Sequence, residues 1–190
     1  MEIEKINKAH TKVIGKKIEY YKKINSTHIY GKMIGKYKEN NGKILLAELQ
    51  TAGIGTKGRK WYTGEGKNIA MTIILHPKCK LDKLNNLTIE IAESMKKAIR
   101  ELYGYELKIK EPNDLLLNNK KICGILTEIN TIGEDINYLL ISLGFNVNEE
   151  EFSEELIDIS TSLKREYNKT FSREDIIIKF IEILEKEIEF

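Results

Sequence analysis

An α+β fold, a mostly antiparallel mixed sheet flanked by helices, is what this 190-residue chain predicts, and three observations carry the expectation. Strand-length apolar runs come as consecutive hairpins. Leu115–Leu117 and Ile122–Ile129 flank Asn118-Asn119-Lys120-Lys121, a turn rich in residues that accept left-handed backbone angles. Gly133-Glu134-Asp135 then turns the chain into Tyr138–Asn146, a run apolar enough for the centre of a sheet. Finally, helical periodicity breaks the strand pattern only in blocks, which argues against a regular alternation of strands and crossover helices.

Taken in order, Lys17–Ile24 reads as a strand, and Asn25-Ser26-Thr27 as a turn that caps a helix from about His28 to Lys38. Ile44–Gln50 is a short apolar run bounded by Asn41-Gly42 and Gly53, hence a strand. Five of the 13 glycines crowd into the next loop, Thr51–Lys67, before a strand at Asn68–Leu75. Leu84, Leu87, Ile91, Met95, Ala98, Ile99 and Leu102 share one face of a helix that starts behind Asp82. A strand over Glu106–Lys110 is stopped by Pro112-Asn113-Asp114, and the two hairpins follow. Past the acidic patch Glu149–Glu155, Ser172-Arg173-Glu174-Asp175 caps a last helix, with apolar residues at 176, 177, 180, 181, 184 and 188, that runs to Phe190.

Composition narrows the function classes. With 41% hydrophobic and 32% charged residues the chain is expected to form one domain with a real core. A net charge of +2, with both signs interspersed, does not suit a protein that coats nucleic acid. Cys79 and Cys123 are too few for a disulfide framework, and the lysine-rich start lacks the apolar run of a signal peptide, so a cytoplasmic location is expected. The longest apolar runs fall far below the roughly 20 residues of a membrane span.

Four segments carry chemistry. Gly53-Ile54-Gly55-Thr56-Lys57-Gly58 matches the dinucleotide pattern G-x-G-x-x-G, yet Thr63-Gly64-Glu65-Gly66 excludes the helix that pattern must open. What remains is a loop of exposed N–H groups with three cations, Lys57, Arg59 and Lys60, beside Trp61, a combination suited to a phosphate attached to a ring system. At Lys110–Asp114 a proline fixes the exit from a strand, where a cation, an amide and a carboxylate can converge with Lys121, although Pro-Asn-Asp is also ordinary turn chemistry. Ser26-Thr27-His28 offers two hydroxyls to a small polar ligand, but also reads as a helix cap. His76-Pro77-Lys78-Cys79 has no second pair at zinc spacing, so no metal site is expected.

In chain order, Ile24–Thr27, Gln50–Trp61, Lys110–Asp114, Lys120–Glu128 and Gly144–Asn148 resemble the successive signatures of biotin protein ligases over about residues 11 to 165. The resemblance implies the class II synthetase-like catalytic domain of biotin and lipoate ligases. It also implies a two-step reaction: ATP and biotin give biotinyl-5′-AMP and pyrophosphate, then a lysine of a biotin carboxyl carrier protein attacks the mixed anhydride. It places Lys121, Arg59 and Asp114 in catalysis, and assigns biotin to Ser26, Thr27, His28, Gln50, Gly53, Ile54, Gly55, Thr56 and Lys121. ATP or the adenylate falls to Lys57, Arg59, Lys60, Trp61, Asn113 and Asn146, with Mg²⁺ assisting pyrophosphate departure. The glycine loop is expected to fold over the adenylate.

Four positions depart from the family's usual residues. Ile54 and Thr56 stand where its loop carries arginines, implying a looser grip on the activated biotin; Glu111 replaces a tryptophan, and His28 an asparagine. With 16 residues before the first strand and the last helix ending at Phe190, residues 1–190 are expected to be a single catalytic domain, without an N-terminal helix-turn-helix or a C-terminal SH3-like barrel. Neither DNA nor membrane is then an expected partner, and the chain is expected as a monomer or homodimer. The alternatives are a lipoate or octanoate ligase or transferase, whose pocket holds a long thin chain, and a non-catalytic biotin-binding homologue.

Overall fold

A computed structural model describes residues 1–188. One sheet of seven strands organises them: β1 (Lys17–Ile24), β2 (Lys43–Gln50), β3 (Ile69–Leu75), β4 (Lys108–Lys110), β5 (Asp114–Leu117), β6 (Lys120–Ile132) and β7 (Asp135–Phe145). Their spatial order is β1-β2-β3-β7-β6-β5-β4. Every neighbouring pair is antiparallel except β1 with β2, which run parallel. That exception follows from the connection: parallel neighbours need a crossover, and helix α2 (Thr27–Ile34) supplies it. The remaining helices are α1 (Ile3–Ile6), α3 (Leu87–Tyr103), α4 (Leu163–Tyr167) and α5 (Arg173–Glu187). Among the described residues no helix is long and apolar enough to cross a membrane.

The sheet is covered unequally. Leu45, Ile74, Tyr138 and Leu140 form a small buried cluster packed with Ile34 of α2. The alternate residues, among them Ile44, Leu46, Ile73, Leu139 and Ile141, join Ile91, Met95 and Ala98 of α3 and Ile177, Phe180 and Ile181 of α5 in the main core. Period-two alternation along β2, β3 and β7 therefore feeds two apolar layers, and the strands read as nearly continuous apolar runs because both faces are buried.

Several boundaries differ from the sequence expectation for local reasons. The helix expected to reach Lys38 stops at Ile34, after Gly31 and before Gly35, and a 3₁₀ turn at Lys38–Asn40 follows; glycine is a poor helix former. The expected four-residue turn is a two-residue one: Asn118 and Asn119 take φ of 50° and 64°, so Lys120 and Lys121 already belong to β6. β4 begins at Lys108 rather than Glu106, and α1 and α4 had no clear signal in the sequence. Ser172 caps α5 by accepting from the Asp175 N–H at 3.1 Å; the expected end at Phe190 lies outside the described residues.

α5 is locked to the sheet by a buried ion pair. Arg173 Nη1 donates to Glu48 Oε2 at 2.6 Å and to the Asn68 carbonyl at 3.1 Å, and its Nη2 donates to Glu48 Oε1 at 3.2 Å. The Tyr20 hydroxyl adds a fourth bond, to Glu48 Oε1 at 2.6 Å. Burial alone pushes the Glu48 carboxyl up, but Arg173, Tyr20 and the chain's amino group outweigh it and bring its pKa down to about 2.

Candidate active site

A cleft of about 1280 Å³ opens where the amino end of α2, the end of β2 and the glycine loop meet the first half of β6 and the end of β7, with residues 151–160 forming part of its rim. Its floor is polar and fully connected. Gln50 Oε1 accepts from the Thr27 N–H at 2.9 Å and from the Thr27 hydroxyl at 3.1 Å. The Thr72 hydroxyl donates to Thr27 Oγ1 at 2.9 Å and lies 2.8 Å from Ser142 Oγ, which is 2.8 Å from His28 Nδ1. His28 Nε2 in turn meets Glu128 Oε2 at 3.1 Å, and Glu128 Oε1 pairs with Lys32 at 2.8 Å. Burial pushes the His28 imidazole below its ordinary pKa, partly offset by Glu128. Burial pushes the Glu128 carboxyl up, but Lys32 and His28 together hold it below the usual range.

The other end of the cleft is cationic. Lys121 Nζ lies 2.6 Å from Asp114 Oδ1, an ion pair by distance without hydrogen-bond geometry, and 5.4 Å from the centroid of the Trp61 ring. The register places it: β5 and β6 pair with a bulge at Leu115/Leu116, which sets Lys121 opposite Leu116. On its other side the Lys121 N–H donates to the Ile159 carbonyl at 2.8 Å, tying the rim segment to the strand that carries the lysine. Lys110, Arg59 and Lys60 also line the cleft.

The glycine loop is a small hairpin, closed by Gly55 N to Arg59 O at 2.7 Å and Trp61 N to Gly53 O at 2.9 Å. Arg59 folds back within it and donates to Thr56 Oγ1 at 2.8 Å. Trp61 lies flat on β6 and β7, its Nε1 buried without a partner. Only glycine permits that seat: a Cβ at Gly144 would stand 2.2 Å from the indole Cε2, and one at Gly124 2.9 Å from Cζ3. Gly144→Ala should therefore cost about 1–3 kcal/mol by overpacking and shift the emission of Trp61, the chain's single tryptophan, to the red. An unchanged spectrum with unchanged denaturant stability would contradict this packing.

Of the residues singled out from sequence, Thr27, His28, Gln50, Gly53, Ile54, Gly55, Thr56, Arg59, Lys60, Trp61, Asn113, Asp114, Lys121 and Asn146 all line the cleft. Two do not. Ser26 caps α2, accepting from the Ile29 N–H at 3.4 Å, and Lys57 sits at a φ of 57° in the loop, off the lining. Asn113 and Asn146 are held by backbone, donating to the Ile125 and Thr161 carbonyls, each at 3.1 Å. Sequence reasoning missed Ser142, Thr72 and Glu128, and the rim at 151–160. A signal existed for the first two, since Thr72 is the one polar residue of the buried strand β3 and Ser142 interrupts the apolar run Leu139–Phe145 of β7.

Comparison with known proteins points one way. The family described as "Biotin/lipoate A/B protein ligase family" matches residues 11–146. The "Bifunctional ligase/repressor BirA" of Bacillus subtilis is 34% identical over 178 residues, covering 93% of this chain and 55% of that protein. The "Biotin--[acetyl-CoA-carboxylase] ligase" of Paracoccus denitrificans is 34% identical over 105 residues, 54% of this chain and 43% of that one. Among solved structures, the biotin protein ligase of Aquifex aeolicus in complex with biotin and ATP superposes with a TM-score of 0.78 at 28% identity, over 90% of this chain and 69% of that chain. The chain thus spans about half the length of the curated relatives it matches.

Proposed function

The chain belongs to the biotin/lipoate A/B protein ligase family, and from that premise we propose that it is an ATP-dependent biotin–protein ligase. In this reading a biotin carboxylate oxygen attacks the α-phosphorus of ATP and expels pyrophosphate. The amine of a lysine on a biotin carboxyl carrier protein then attacks the resulting carbonyl and releases AMP. The difficulty of the first step is electrostatic, because two anions must approach each other before the new P–O bond can form.

The observation that carries this reading is Lys121, whose ammonium sits in the same cleft as the polar floor, between the Trp61 ring and Asp114. A ring held on Thr27 and Gln50 can extend its acid tail past Gly53–Thr56 towards that ammonium, with ATP beside it on Arg59, Lys60, Asn113 and Asn146. Magnesium enters as part of the ATP substrate, with Asp114, the carboxylate paired to Lys121, at that end of the cleft. Ser26 acts here through the helix cap, and Lys57 through the loop's overall positive charge.

Lipoate is the weaker candidate on chemical grounds. Its dithiolane brings no hydrogen-bonding group to a floor whose donors and acceptors are buried, whereas the ureido ring of biotin brings two N–H groups and a carbonyl. The test is pyrophosphate release from MgATP with biotin or lipoate supplied in turn. Biotin should drive release, with lipoate at least about a hundredfold less effective. A preference for lipoate, or no release with either acid, would overturn the proposal.

A further inference from the structure

We propose that Glu128, His28, Ser142 and Thr72 are positioning residues. On this view they form one directed chain of hydrogen bonds that leaves the Thr27 hydroxyl oxygen an acceptor for a ring N–H group, and seating the ring draws one proton from solvent onto the His28–Glu128 pair. The inference rests on biotin as the ligand.

The ground for it is a count of protons. Five contacts link Gln50 Oε1, Thr27, Thr72, Ser142, His28 and Glu128 Oε2 in a line, at 3.1, 2.9, 2.8, 2.8 and 3.1 Å. Both ends accept only. Gln50 Oε1 is fixed in that role because the Thr27 backbone N–H donates to it at 2.9 Å, and an ionised carboxylate has no proton to give. Three hydroxyls and a neutral imidazole supply four protons for five contacts, so one contact has none. A second imidazole proton completes the line, and only one direction is then possible: His28 to Ser142, Ser142 to Thr72, Thr72 to Thr27, Thr27 to Gln50. Every hydroxyl proton is committed inside the protein; Gln50 Oε1 already accepts two bonds from Thr27, and the remaining lone pair of Thr27 Oγ1 is free to accept.

The shortfall matters most when a ligand binds. Thr27, His28 and Ser142 line the cleft with only 2%, 3% and 7% of their surface exposed, and that narrow opening is where solvent can supply the missing donor. A ring that fills the floor expels that solvent and leaves an unfilled contact in a dry site, at a cost typical of a buried unsatisfied group. Proton uptake removes that cost. The charged groups facing His28 are Glu128 from β6 and Lys32 from its own helix, while β3 and β7 present the neutral Thr72 and Ser142. Burial keeps the imidazole of the open site below its usual range, so the proton is taken up on binding and is not already in place. Because the bound state then has the higher pKa, the gain in affinity is complete at low pH. It is lost as pH rises through the bound-state value, with a slope of at most about tenfold per pH unit.

Calorimetric titration of the full chain with biotin at neutral pH, in phosphate and again in Tris, reads the proton directly as a difference in apparent enthalpy. A measurable net uptake, up to about one proton per biotin, is expected. Glu128→Gln should abolish the uptake, because its amide donates to His28 Nε2 and leaves Nδ1–H for Ser142. His28→Asn should abolish it too, because its amide carries a permanent donor. A mere packing role for these side chains would leave the buffer dependence in place. Equal enthalpies in the two buffers for the unmodified protein, proton release, or uptake that persists in both variants would each overturn this inference alone. A protein that binds no biotin would overturn the ligase reading with it.

Discussion

Replacing Lys121 by methionine should slow biotin-dependent pyrophosphate release by roughly 10²–10³-fold, the usual cost of removing one preorganised charge from a transition state. Lys121 sits on β6, tied through its N–H to the Ile159 carbonyl, so its position is set by the strand rather than by a mobile loop. Its partner Asp114 holds the ammonium in the cleft ahead of the substrates at 2.6 Å, and arriving anions compete for that charge. Methionine keeps the volume and the contact with Trp61 but not the charge, so denaturant stability should fall only by the cost of leaving the partly buried Asp114 unpaired, while turnover collapses. Turnover within a factor of two of the unmodified protein would remove Lys121 from the chemistry.

Breaking the buried pair on the far side of β2 should have the largest effect on stability. Glu48→Gln leaves Arg173 and the chain's amino group without their shared carboxylate, at a cost of about 3–5 kcal/mol, whereas Arg173→Met costs less because Glu48 keeps the Met1 amino group at 3.0 Å. The double replacement Glu48→Met with Arg173→Met removes the charge pair but leaves that amino group unpaired, so it should recover only part of the Glu48→Gln loss. The same pair sets the acid limit of the fold. Glu48 titrates at about 2 when folded against an ordinary value of 4.5, so its contribution is complete above about 4.5 and is lost as pH falls towards 2. Denaturant titrations at pH 7, 4 and 3 should show the unmodified protein losing stability over that interval and the double variant losing less. Parallel pH profiles would show that Glu48 is not the group responsible.

Much of the sheet was legible in the chain because hairpins are local. Two asparagines that tolerate positive φ and a glycine at 133 bring neighbouring segments together without reference to the rest of the molecule, and the amphipathic faces of α3 and α5 repeat within a few turns. The parallel pairing of β1 with β2 was not legible, since it depends on where α2 packs, and that depends on Leu45, Ile74 and Leu140 from three separate strands. The glycine loop announced itself by composition, but its order did not: the seat of Trp61 requires glycines at 124 and 144, more than 60 residues further along.

The sequence by itself determined the family, the α+β class and fourteen residues that line the cleft, because ordered motifs and short-range periodicity are properties of neighbours along a chain. Only the tertiary structure decided that Ser26 works as a cap, that Lys57 stays off the lining, and that Gln50, Thr27, Thr72, Ser142, His28 and Glu128 form one line of hydrogen bonds a proton short. These six side chains come from α2 and four different strands. Whether their donors and acceptors balance is a property of the assembled site, and no spacing in the chain encodes it.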